Sequence, residues 1–151
     1  VFAFMADSFP NKSIWIDLKG WFPCSGNSLD IDGMMRKESE VVIHLAKKYG
    51  LTKNVNFEME TTTVLEFIQA KNGEVGTYIN SYGDLERAML LCLKAGYTGI
   101  SYKTGVGETV TQDKLDLLHR KGLKIVVWNV NEEAKKQEYI NLGVDYVQFD
   151  L

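Results

Sequence analysis

The sequence predicts an α/β fold of about six parallel strand–helix units, a partial (β/α)8 TIM barrel. Three observations carry this: six short β-like runs, helical apolar spacing between them, and glycines that close the helical stretches at a nearly constant interval.

The runs are Ile14–Leu18, Val55–Met59, Val75–Ile79, Gly99–Lys103, Lys124–Val130 and Tyr146–Leu151. Several are continuously apolar, as strands covered on both faces are. Between them, Val41–Ala46, then Leu85, Met89, Leu90 and Leu93, then Leu115 and Leu118 recur at the three-to-four spacing of a helix. Gly50, Gly73, Gly96, Gly122 and Gly143 follow these stretches at intervals of 23, 23, 26 and 21 residues. Each is placed to end a helix in the left-handed conformation that a Cβ disfavours. Asp84, Thr111 and Asn131 are read as N-cap or first-turn residues, with Glu132 and Glu133 placed for the helix dipole. The competing architecture is a doubly wound sheet, whose first strand normally leads into a Gly-rich phosphate loop. Here that strand leads into Gly20-Trp-Phe-Pro-Cys-Ser-Gly26, which does not match. The near-constant repeat favours the barrel. A full barrel takes about 250 residues, so six strands fall two short of closure. Residues 1–151 read as a single domain.

Composition narrows the function classes. The net charge of −3 gives no electrostatic footprint for nucleic acid, and no apolar run approaches the roughly 18 residues of a membrane span. The opening Val1-Phe-Ala-Phe-Met-Ala lacks a charged leader and a cleavage pattern, so no signal peptide is read. It opens without Met, as if mid-element, and a trimmed start is expected. Cys92, within Met89–Leu93, reads as a buried thiol and Cys24 as a loop residue, with no disulfide framework or zinc site.

Two segments carry a resemblance. Lys121-Gly-Leu-Lys-Ile-Val-Val-Trp-Asn-Val-Asn131, followed by Asn141-Leu-Gly-Val-Asp-Tyr-Val-Gln-Phe-Asp150, resembles the end of a glycerophosphodiester phosphodiesterase. Ser13-Ile-Trp-Ile-Asp-Leu-Lys19 is similar to that family's third strand, which carries Glu-x-Lys. The resemblance spans nearly the whole chain and corresponds to strands three to eight of the family's barrel. It departs at Asp17, where the family has a metal-binding Glu of longer reach. It departs also at Asn129 in place of Thr, and at Phe149 in place of the Thr before Asp150. The family's His-Arg-Gly, its Glu-x-Asp metal pair and its second catalytic His are not present.

Function in such a barrel gathers at the carboxy ends of the strands, near which Asp17, Glu58, Tyr78, Tyr102, Trp128 and Asp150 fall. The resemblance implies a metal-dependent phosphoric diester hydrolase of lipid metabolism, releasing glycerol 3-phosphate from a small-molecule glycerophosphodiester. Asp17 would hold a divalent metal, Mg²⁺ or Ca²⁺, Lys19 would face the phosphate, and Trp128 would pack on the glycerol. The rival for Asp17 is a plain pair with Lys19, and for Trp128 a place in the barrel core. No residue of this chain is assigned as catalytic. His44 and His119 fall on helices, where His119 reads as a C-terminal dipole partner, and the isolated chain is expected to be inactive.

The loop Gly20–Gly33 is long for a strand–helix connection, with Trp21 and Phe22 read either as a substrate cover or as rim packing. Asp30-Ile-Asp-Gly33 lacks the remaining acidic positions of a calcium loop, and Thr104-Gly-Val-Gly-Glu108 lacks the Lys-Ser/Thr of a P-loop. The second reads as a flexible loop whose amides can touch phosphate. Two alternatives stand beside the enzyme. One is a non-catalytic barrel fragment whose edge strands, Ile14–Leu18 and Tyr146–Leu151, pair with another copy or a missing amino-terminal segment. The other is a related barrel phospholipase acting on phosphoinositides or sphingomyelin.

Overall fold

The structure, a computed structural model, describes residues 1–19 and 30–149. The elements are α1 (Phe2–Ser8), β1 (Ile14–Asp17), α2 (Ile31–Lys48), β2 (Val55–Met59), α3 (Thr62–Lys71), β3 (Gly76–Ser81), α4 (Leu85–Ala95), β4 (Gly99–Lys103), α5 (Gln112–Arg120), β5 (Lys124–Val130), α6 (Glu133–Leu142) and β6 (Tyr146–Phe149). Strand order follows chain order from β1 to β6. This is the predicted α/β fold, part of a (β/α) barrel. The chain divides into two compact units, Val1–Thr77 and Tyr78–Leu151, with the division inside β3.

In the first unit, β1 and β2 pair in parallel from Ile14↔Val55 to Asp17↔Glu58. Every residue of β2 is buried. Helix α2 lays Met35, Ser39, Ile43 and Ala46 into the core at the spacing of one helical stripe, and α3 adds Val64, Leu65 and Ile68. Asp30 caps α2, its Oδ1 accepting the Gly33 N–H at 2.8 Å. The segment 30–33 therefore begins a helix, where the sequence reading extends the loop to Gly33. Trp21, Phe22 and Cys24 lie outside the described residues.

In the second unit β3, β4, β5 and β6 pair in parallel. Ile100, Ile125, Val126 and Val127 are fully buried. The bounds of β4 and β5 are those the apolar runs predict, whereas β3 is displaced from Val75–Ile79 to Gly76–Ser81. Asn80 and Ser81 are polar and look like loop, yet Asn80 pairs with Ser101 and Ser81 with Tyr102. Gly99 is required by close approach: a Cβ there would lie 2.0 Å from the Lys124 carbonyl oxygen.

Gly50, Gly96, Gly122 and Gly143 adopt the left-handed φ that their spacing predicts. Gly73 does not. Helix α3 instead ends through an extended Asn72, whose side chain accepts the Glu74 N–H at 3.0 Å. The buried face of α4 is Leu85, Ala88 and Cys92, leaving Leu90 and Leu93 exposed. Five residues on from Leu85, Leu90 lies about 140° round the helix, so the larger side chains lose to geometry. Asp84 and Thr111 cap α4 and α5 as predicted, while α6 is entered through Glu132, one residue after Asn131.

Candidate functional site

Each unit brings strand-end residues together. In the first, the Asp17 carboxylate at the end of β1 accepts from the Lys19 ammonium at 2.9 Å. Both side chains are open to solvent, 39% and 75% exposed, so the pair contributes little to stability, at most about 1 kcal/mol. It does hold a proton: hydrogen bonding to Asp17 and its charge raise the Lys19 pKa, with the charge of Glu58 adding to them. Glu58 is in register with Asp17 on the neighbouring parallel strand, so the two side chains share a face of the sheet. Unlike Asp17, Glu58 is buried, 5% exposed.

Two carboxylates side by side at a strand end fit a hard divalent cation. Mg²⁺ is commonly held by one or two carboxylates, with water and phosphate oxygens filling its shell. Among the described residues no group of three or more His, Cys, Asp or Glu is placed to hold a metal. A cation at Asp17 would also have to displace the Lys19 ammonium.

In the second unit, Trp128 of β5 stands in register with Lys103, the last residue of β4. The Lys103 ammonium lies 5.2 Å from the Trp128 ring centroid and 5.8 Å from that of Tyr82, which follows β3. The two rings meet edge to face, 5.7 Å apart at 88°. The Trp128 indole N–H is buried without an acceptor among the described residues, and an unmet donor of this kind costs about 1–3 kcal/mol. Trp128 is thus neither free at the surface nor a plain core residue. It is half of a cation-bearing aromatic wall.

The loops around this wall are fastened. Gly83 and Gly107 both have positive φ, and a Cβ on Gly83 would lie 2.7 Å from the Gly107 Cα. The Glu108 N–H donates to the Gly83 carbonyl at 3.2 Å, fixing the residue after Tyr82. Tyr102 donates to the Val106 carbonyl at 3.1 Å and also contacts the Glu108 carbonyl. Lys114 pairs with the Glu108 carboxylate. The glycine loop 104–108 reads as flexible from its composition, but these contacts tie it down.

Asn129, where the resembling family has Thr, has φ +63° in a register shift between Val127 and Val130. Its Nδ2 donates to the Thr104 carbonyl at 3.2 Å. Asn enters the left-handed region more readily than a β-branched residue, so the local backbone accounts for this departure. A cleft of about 350 Å³ borders the bulge, lined by Tyr102, Asn131, Lys135, Glu138 and Tyr139 among others. Lys135 is engaged there by Glu138 at 2.7 Å.

Other residues singled out by the sequence do not gather here. His44 is exposed on α2. His119 faces Asp145, with Nε2 3.0 Å from Oδ2. Tyr78 is fully buried, and burial raises the pKa of its hydroxyl. Asp150 lies outside the described residues. The sequence reading missed Lys103 and Tyr82. The only signal for Lys103 is a charge closing an otherwise buried strand.

No protein-family model and no curated protein matches this chain. Solved structures do. A protein from Galdieria sulphuraria described as a candidate glycerophosphodiester phosphodiesterase aligns with 97% of this chain and 56% of its own, at 17% identity and a TM-score of 0.72. Its counterpart from Silicibacter pomeroyi aligns with 91% of this chain and 46% of its own, at 16% identity and a TM-score of 0.68. The PaMucR phosphodiesterase, in complex with c-di-GMP, aligns with 99% of this chain and 68% of its own, at 17% identity and a TM-score of 0.62. The chain therefore spans about half the length of the first two. At these identities the likeness is one of fold, and it is the fold that the resemblance in the sequence implies.

Proposed function

We propose that this chain carries the product-binding side of a metal-dependent glycerophosphodiester phosphodiesterase. The reaction would release glycerol 3-phosphate and an alcohol from the deacylated form of a glycerophospholipid. The observation that carries this reading is the register of Asp17 with the buried Glu58 towards the carboxy ends of β1 and β2, in a fold shared with glycerophosphodiester phosphodiesterases; the pair with Lys19 is the contact an ion would replace. Asp17, with Glu58 beside it, would hold Mg²⁺ or Ca²⁺; when bound, the ion supplies charge neutralisation to the phosphodiester. Lys19, released from Asp17, would place a positive charge at a phosphate oxygen, and Trp128 would present apolar surface to the glycerol. Neither histidine lies at a strand end, so general acid–base catalysis is not assigned to this chain.

The test is hydrolysis of glycerophosphocholine, followed as glycerol 3-phosphate release, by the protein as its source makes it. Metal-dependent turnover that falls at least about 100-fold in Asp17→Asn supports the reading, a loss on the scale of removing one charge-stabilising group. Full turnover by the variant overturns the metal assignment. The 151 residues alone are expected to bind the product without turning over the diester, and metal-dependent turnover by them would refute that.

A second reading is a non-catalytic module that assembles with another copy or another segment. It is favoured by the position of β1 and β6 at the two ends of the strand order, because unpaired edges invite further strands. Sedimentation separates the two: concentration-dependent association supports assembly, and a monomer at all concentrations counts against it.

A further inference from the structure

We propose that Lys103 is a phosphate-binding residue, its ammonium held over Trp128 and Tyr82 to receive an oxygen of a phosphate ester at the carboxy ends of β4 and β5. The identity of the ester rests on the functional reading above; the anion site itself does not.

Three observations lead here. First, Lys103 is half-buried and has no carboxylate partner among the described residues. The other strand-end lysine, Lys19, is paired with a carboxylate at 2.9 Å. Aromatic faces hold a cation without consuming its hydrogen bonds, so the ammonium keeps its donors for another acceptor. Second, the ammonium is the accessible donor at this strand end: the indole N–H beside it is buried, so an oxyanion would meet Lys103. Third, the frame is rigid where a ligand needs it. Tyr82 is fixed by the Gly83–Gly107 contact, and Lys103 and Trp128 by strand register. A preorganised point charge loses less entropy on binding than a mobile surface lysine. Lysine binds phosphate in this role at many sites.

The experiment is calorimetric titration of the chain with inorganic phosphate, glycerol 3-phosphate and glycerol, using wild type, Lys103→Gln and Lys103→Arg. Thermal midpoints are measured in parallel. The expected result is that Lys103→Gln weakens both phosphates by about tenfold or more, the value of a charge-assisted hydrogen bond. Lys103→Arg should retain most of the affinity, and the midpoints should not change. If wild type binds both phosphates and Lys103→Gln binds them equally well, the inference falls and the glycerophosphodiester reading survives. If both phosphates depend on Lys103 but glycerol 3-phosphate binds no more tightly than phosphate, the anion site stands and the glycerol reading falls. If wild type binds neither phosphate, both fall.

Discussion

At the amino ends of β5 and β6, Asp145 Oδ2 accepts the Ile125 N–H at 2.9 Å and faces His119 Nε2 at 3.0 Å. At the carboxy ends of β4 and β5, the Trp128 indole N–H has no acceptor and the Lys103 ammonium has no carboxylate among the described residues. Strand β5, common to both, is thus tied by a carboxylate at its amino end and carries donors without an acceptor among the described residues at its carboxy end. Residues at the amino end of a barrel strand serve stability, and those at the carboxy end serve function. Local chemistry follows that division: the Gly-Val-Asp step ends in a carboxylate that locks two strands, while β4 and β5 bring the Lys103 ammonium over the Trp128 ring.

Disrupting the closed end should have the largest effects on stability. Gly99→Ala would drive a Cβ to 2.0 Å from the Lys124 carbonyl. The expected loss is about 3 kcal/mol, the upper part of the range for overpacking, read as a shift in urea midpoint. Asp145→Ala strands the N–H of Ile125, which is fully buried. It should lose about 1–3 kcal/mol, whereas Asp145→Asn, which keeps an acceptor, should lose less. His119→Ala should be milder still, within about 1 kcal/mol, because the imidazole is 40% exposed. If His119→Ala costs as much as Asp145→Ala, the imidazole contact rather than the N–H acceptor closes this end.

Cys92 sharpens the comparison through pH. Its thiol donates to the Gly99 carbonyl at 3.2 Å, and burial pushes its pKa from 9.0 up to about 12. The folded state therefore keeps the proton where the unfolded chain has lost it. This group's contribution is fully present below pH 9.0 and is lost as pH rises towards about 12. In a Cys24→Ser background, Cys92 should resist a thiol reagent at pH 8 until denaturant is added; rapid labelling of the native protein would show that this end opens readily. At the carboxy end, Lys103→Gln should change stability least, by about 1 kcal/mol or less, since a cation–π contact still partly open to water is worth about that much.

Much of this division was legible in sequence. The apolar residues within Gly99–Lys103 and Lys124–Val130 marked β4 and β5, because strands buried on both faces leave little room for another reading. Polar Asn80 and Ser81 hid the end of β3, and helical spacing alone did not reveal that α4 turns Leu90 and Leu93 outward. Trp128 came from the resemblance. Lys103 and Tyr82 did not: a strand-final lysine and a post-strand tyrosine are ordinary surface residues until register and loop closure bring their side chains onto one indole. Asn129, a departure in sequence, became intelligible only with its left-handed backbone.

The most direct test of the proposed function is the linkage between metal and product. Glycerol 3-phosphate should be titrated into wild type and Asp17→Asn with and without Mg²⁺. The account predicts that Mg²⁺ tightens binding by about tenfold in wild type, a coupling of roughly 1.4 kcal/mol, and leaves Asp17→Asn unchanged. Binding that is indifferent to Mg²⁺, or equally enhanced in the variant, would contradict a metal held at Asp17.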